Sequence, residues 1–128
     1  HSTEMESFVD AAIREQAIEL THGAHAYPTL LRAVALRSRG LSVAIVIGDP
    51  AATRTSALAG RARRVLRPED AVVVVAPGAD AVPGLAADWL SGRVAPMDRP
   101  TAYICRGSAC SLPVHEPAEL VAELSLRT

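Results

Sequence analysis

Two short, almost unbroken apolar runs, Leu41-Ser-Val-Ala-Ile-Val-Ile47 and Ala71-Val-Val-Val-Val-Ala76, constrain this chain more than any other feature. Each is too short for a core helix and too continuous for a strand with one wet face. Both are rich in β-branched residues, and Gly48-Asp49-Pro50 closes the first. Runs of this kind are strands buried on both faces, the usual state in a parallel sheet. Thr101-Ala-Tyr-Ile-Cys105 is a third of similar character. Between the first two, Leu58, Ala62, Val65 and Leu66 recur at helical spacing and stop before Pro68. Pro83 to Leu90 leaves room only for a short helix with Leu85 and Trp89 on one side. A last helix is expected to begin at Glu116-Pro117 and to turn Leu120, Val121 and Leu124 inward. The succession predicts an α/β fold: a right-handed, three-stranded parallel Rossmann-like β-α-β-α-β-α layer over residues 41–128.

Before Leu41 the period is different. Met5, Phe8, Val9, Ala12, Ile13, Ala17 and Leu20 repeat at three and four, and Thr21-His-Gly23 supplies a stop. Tyr27, Leu30, Leu31 and Val34 repeat the pattern from Pro28, a residue suited to a first helical turn, to Gly40. Residues 1–40 therefore read as a helical hairpin with one apolar side per helix, and that side needs a partner. A symmetric dimer is one way to supply it.

Size and charge exclude several classes. A chain of 128 residues can bury a core without staples. The net charge is −1, and all 13 basic residues are arginine, a pattern of codon usage rather than of function. Arg61, Arg63, Arg64 and Arg67 cluster, but one Phe and one Trp offer little for base stacking, so a solvated helix face is the better reading than a nucleic-acid site. No apolar run approaches the roughly 20 residues of a membrane span. The opening His1-Ser-Thr-Glu lacks the order of a signal peptide and an initiator Met, so the chain is expected to begin inside a longer protein, with His1-Ser-Thr3 native or an expression remnant. Two cysteines without a secretory segment point to the cytoplasm, where thiols stay reduced.

Four places merit weighing as sites. Cys105 and Cys110 flank Arg-Gly-Ser-Ala. They fit buried, reduced thiols best; a disulfide across a glycine turn is the alternative, worth roughly 2 kcal/mol of loop entropy. A reactive thiol needs a nearby cation, and Arg106 is adjacent in sequence although strand neighbours point to opposite faces. Zinc is not expected: Cys105, Cys110 and His115 make at most three ligands, and a second cysteine pair is missing. His22 and His25 flank Gly23-Ala24 in the interhelix turn, where exposed histidines are common, although hairpin ends can line a pocket. Gly48 and Asp49 follow the first strand, where doubly wound sheets bind anions or nucleotides. Yet Gly-x-Gly-x-x-Gly is absent and Asp49 would repel phosphate, so a helix cap by Asp49 or Thr53, with Pro50 shaping the turn, suffices. No cofactor, metal or catalytic residue is expected.

The order of motifs is more specific than any one of them. His25-Ala-Tyr-Pro-Thr-Leu-Leu-Arg32, Val43-Ala-Ile-Val-Ile-Gly-Asp-Pro50, and Thr101-Ala-Tyr-Ile-Cys105 with Cys110 and Pro113 resemble the carboxy-terminal part of the thioredoxin-domain-containing proteins that include the spermatogenesis-associated protein 20 group. The resemblance covers most of the chain. It implies a thioredoxin-like domain first, then a helical-hairpin barrel similar to sugar epimerases and glycosidases, of which residues 1–40 would be the last hairpin. The family's Cys-x-x-Cys has no counterpart here, and the barrel's polar residues would lie upstream, so neither activity transfers to these residues. The expectation is a noncatalytic structural or interaction domain without a complete active site, partnered by the barrel and thioredoxin-like domain of its own parent chain. The alternatives are a thiol redox accessory that uses Cys105 and Cys110 with the thioredoxin-like domain, or an anion- or nucleotide-binding module near Gly48 and Asp49.

Overall fold

The structure is a computed structural model and describes residues 3–85, 87–96, 99–107 and 109–125. The chain forms two compact units, His1–Gly40 and Leu41–Thr128.

The first unit is helical. α1 (Thr3–Glu15) is followed, after a break at Gln16, by α2 (Ala17–Gly23), and α3 (Pro28–Arg39) begins on its proline and closes where the Gly40 N–H reaches the Leu36 carbonyl at 2.8 Å. The single long helix expected from Met5 to Leu20 is thus two. The expected turn at Thr21–Gly23 is still α2, and a 3₁₀ turn at Ala24–Ala26 makes the connection. Arg37 of α3 ties itself to α1 by a 2.7 Å contact to Asp10 and a 3.5 Å contact to Glu6. That hydrogen bond holds the Asp10 carboxyl below its ordinary range and pushes the guanidinium up. None of the described residues of these helices is buried, and Met5, Phe8 and Ile18 are 63%, 70% and 70% exposed.

The second unit is α/β, with helices on one face of its sheet. β1 (Ser42–Ile47) is wholly buried. α4 (Thr53–Val65) carries the chain to β2 (Ala71–Val75), which pairs parallel to β1. β3 (Thr101–Arg106) lies on the other side of β1 and runs antiparallel to it, with Thr101 opposite Ile47 and Arg106 opposite Ser42. β4 (Ala109–Cys110) pairs antiparallel with β3, and α5 (Glu119–Ser125) follows. The described strands therefore form one mixed sheet in the order β2-β1-β3-β4, not a three-stranded parallel layer.

The physical reason for the correction lies between β2 and β3. A parallel crossover needs a connection that travels the length of the sheet, normally a helix. Pro77, Pro83, Pro96 and Pro100 break this segment, and its one described helix is the 3₁₀ turn Ala87–Trp89. It leaves the carboxyl end of β2 and returns to the same end of the sheet, so β3 must run back down.

Successive strand residues feed two cores. Ala44, Val46, Ala102 and Ile104 face Leu58, Ala59 and Ala62 of α4 and Leu120 of α5. Val43, Ile45, Ile47, Val75, Tyr103 and Cys105 face the opposite way, onto Leu90 and the flanks of Val82, Leu85 and Trp89. The irregular segment after β2 thus does for one face what helices do for the other. α5 starts later than expected; Leu120 is fully buried but Val121 is 37% exposed, and the side chain of Leu124 lies outside the described set. Backbone N–H groups of His115 and Glu116 donate to the Glu119 carboxylate at 3.1 and 3.2 Å, which satisfies orphan donors ahead of α5 and lowers the affinity of that carboxyl for its proton.

Candidate functional site

The two cysteines are joined. Gly107, at φ 58°, lets the chain reverse directly after β3, and β4 then places Cys110 in register opposite Cys105. Their Cα atoms are 3.9 Å apart and a disulfide links them. The expectation of two reduced thiols is therefore corrected: cross-strand register, which spacing alone does not reveal, brings the sulfurs together. As a disulfide the pair offers no thiolate to a metal. Among the described residues no group of three or more His, Cys, Asp or Glu side chains converges as a metal site would require.

The two halves of the bridge differ in surroundings. Cys105 has no exposed surface and belongs to the core on the side of Tyr103 and Ile45. Cys110 is half-buried at the end of the edge strand β4. The cation beside it is not Arg106, whose Nε donates to Ser42 Oγ at 3.1 Å. It is Arg93, whose guanidinium donates to Cys110 Sγ through Nη2 and, through Nη1, to the carbonyls of Asp88 at 2.9 Å and Ser91 at 3.2 Å. Among the described residues Arg93 has no carboxylate partner.

Arg93 also lines a cleft of about 500 Å³ at the carboxyl ends of β1 and β2. Its floor is Ile47 and Val75; its walls come from Ala76-Pro-Gly-Ala-Asp80 and Leu90-Ser-Gly-Arg-Val-Ala95. Tyr103 braces the second wall by donating its hydroxyl to the Val94 carbonyl at 2.8 Å. Strand ends are where a doubly wound sheet was expected to present a site, but Gly48 and Asp49 are not among the residues lining this cleft. Gly48 continues the ladder by donating to the Val75 carbonyl at 2.9 Å. Asp49 turns its carboxylate onto the Ala51 N–H at 2.9 Å, an Asx turn, and the cap position of α4 belongs to Ala52, so neither Asp49 nor Thr53 is the cap.

The histidines are dispersed. His22 lies in the last turn of α2 with Nδ1 2.9 Å from the Ile18 carbonyl, and His25 sits exposed in the 3₁₀ turn beyond Gly23. His115 Nδ1 lies 3.2 Å from Thr101 Oγ1. Sequence reasoning found the cysteines but missed Arg93, which is 17 residues from Cys110; no local spacing announces that contact.

The second unit thus defines a small mixed-sheet α/β domain with a cleft at the carboxyl ends of β1 and β2 and a disulfide at the other end of β3, Arg93 lining the first and reaching the second. Among curated proteins, spermatogenesis-associated protein 20 of Rattus norvegicus and of Homo sapiens are each 28% identical to the chain over 95 residues, or 74% of it. The similarity supports a relationship, and the chain spans about 12% of the length of these relatives. No known family profile and no solved structure matches the chain. Among the described residues, no helix is long and apolar enough to cross a membrane.

Proposed function

We propose that the chain is a carboxy-terminal structural and docking domain of a larger thioredoxin-domain-containing protein, in which residues 1–40 lend their apolar side to the parent's helical barrel. One observation carries the reading: the helices of the first unit bury none of their described residues, and Met5 and Phe8, one turn apart on α1, are 63% and 70% exposed. A helix with an apolar stripe is stable in water only when that stripe is covered. The short share of the related proteins that the chain matches fits a piece built to pack against more of its own polypeptide.

The test is association between this chain and the separately produced remainder of its parent, followed by calorimetry and by the melting temperature of each piece. The expected result is a complex that melts higher than either part and is lost on Met5→Glu/Phe8→Glu. Pieces that neither bind nor alter each other's melting refute the reading. A homodimer of the chain alone, dispersed by the same substitutions, would bury the same stripe and agrees with it.

A further inference from the structure

We propose that the Cys105–Cys110 disulfide is an exchangeable redox pair whose working sulfur is Cys110 Sγ, held against the Arg93 guanidinium, and whose substrate class is a dithiol or the corresponding disulfide. The proposal goes beyond the docking role and stands independently of it.

The assignment of roles follows from the asymmetry of the bridge. Exchange begins when a thiolate reaches one sulfur of a disulfide. Cys105 has no exposed surface, so an incoming thiolate meets only Cys110, which is half-buried at the sheet edge. Arg93 then matters twice. Its Nη1 is fixed by two backbone carbonyls, which hold the group in place without neutralising it. Its Nη2 donates to Cys110 Sγ, where it stabilises a thiolate more than a thiol. A bridge serving only as a staple would have no use for a cation aimed at one of its sulfurs.

The reaction balances as follows. One thiolate of the dithiol attacks Cys110 Sγ, a mixed disulfide forms there, and the bond to Cys105 breaks with its electron pair going to Cys105, which takes up a proton. The second thiol of the substrate attacks its own sulfur in the mixed disulfide, closes to the substrate disulfide, and releases Cys110 as a thiolate beside Arg93. Two electrons pass to the protein, the protein pair is reduced and the dithiol is oxidised. In the reverse direction Cys110 is the nucleophile and Cys105 the resolving thiol.

The experiment uses the whole chain under native conditions with dithiothreitol as the dithiol, quenched by iodoacetamide and read by peptide mass. Reduction is expected to go to completion with far-ultraviolet circular dichroism unchanged, and alkylation to fall first on Cys110. Its rate should rise with pH at a midpoint below the roughly 8.5 of a free cysteine. Arg93→Gln is expected to move that midpoint upward and slow alkylation near neutral pH about tenfold, and Arg93→Lys to recover most of the loss. A bridge that resists dithiothreitol until the protein unfolds overturns the proposal, as does first alkylation at Cys105. A wild-type midpoint at or above the free-cysteine value removes the role of Arg93, and this reading stands even if the glutamine variant fails to fold.

Discussion

Gly48→Ala tests whether the junction of β1 with α4 is packed as tightly as the structure states. Gly48 is not in the left-handed region, so space rather than backbone conformation reserves the position for glycine. A Cβ added there would lie 2.5 Å from Thr55 Oγ1, 3.2 Å from Thr55 Cγ2 and 3.3 Å from Pro100 Cβ. The first distance falls about 0.9 Å short of the 3.4 Å at which ordinary contact begins. Thr55 is 1% exposed, and rotating its β-branched side chain risks only exchanging one clashing atom for the other. Overpacking of this kind costs about 1–3 kcal/mol. Against it stand roughly 0.4–1 kcal/mol from a stiffer unfolded chain and about 0.8 kcal/mol for a buried methyl. An overlap this deep puts the clash in the upper part of that range, about 2.5 kcal/mol, so it should win and leave a net loss of about 1 kcal/mol, or some 4–8 °C in Tm for a domain of this size. Trp89, the chain's one tryptophan, is half-buried against the core of this same unit, so urea unfolding followed by its fluorescence reads the right transition. The control is Thr55→Ala. Thr55 Oγ1 is buried without a hydrogen-bond partner among the described residues, so its removal sacrifices no hydrogen bond and only about one methyl of packing. In that background Gly48→Ala should be neutral or stabilising, a coupling of about 1 kcal/mol or more between the sites. Equal penalties in both backgrounds would refute the reasoning.

Three further perturbations probe the rest of the chain. Leu120→Ala empties a fully buried position between α5 and the sheet and is expected to cost about 3 kcal/mol in the same urea assay, whereas Val121→Ala should cost well under half of that. Asp70 accepts the Ser42 N–H at 2.9 Å and the Arg67 N–H at 3.3 Å, pinning the starts of β1 and β2 together; Asp70→Ala should lose about 1–2 kcal/mol and speed amide exchange at Ser42 above all. In the first unit the hydrogen bond from Arg37 depresses the Asp10 carboxyl, so the stability it lends is complete above the ordinary value of 3.8 and disappears as pH falls through the lower native value. An NMR titration should find the Asp10 midpoint below 3.8 and return it towards that value in Arg37→Gln; a wild-type midpoint at or above 3.8 would mean the bridge does not form in solution.

What the sequence disclosed depends on which physical signal each feature leaves. Continuous β-branched runs leave a strong one, and all three appear as strands: Ser42–Ile47, Ala71–Val75 and Thr101–Arg106, although Ala71–Val75, expected to be buried on both faces, lies at the sheet edge with only Val75 buried. Pro28 and Gly40 mark the ends of α3, because their backbone requirements are local. The break at Gln16 was hidden, since the apolar spacing runs through it. β4 was hidden too, being only Ala109–Cys110, too short for any periodicity. The candidate site divides the same way. Spacing could nominate Cys105 and Cys110, but their union depends on register after Gly107, and Arg93 reaches Cys110 only through the tertiary path of the segment between β2 and β3.

Strand direction is the instructive failure. A strand buried on both faces carries no face pattern, and nothing within Thr101–Arg106 distinguishes parallel from antiparallel pairing with β1. Direction is set by the connector, through whether it ends at the far or the near end of the sheet. That information was present, though not in the strand: four prolines between Ala76 and Thr101 deny the connector a helix long enough to cross the sheet. A connector so interrupted must still cover the apolar face of Ile45, Ile47 and Tyr103, and it does so with Leu85, Trp89 and Leu90 packed against that face. Reversal of β3 and formation of the cleft therefore have one cause. The segment that cannot become a crossover helix folds over one face of the sheet instead, and in doing so it carries Arg93 from the cleft to the disulfide.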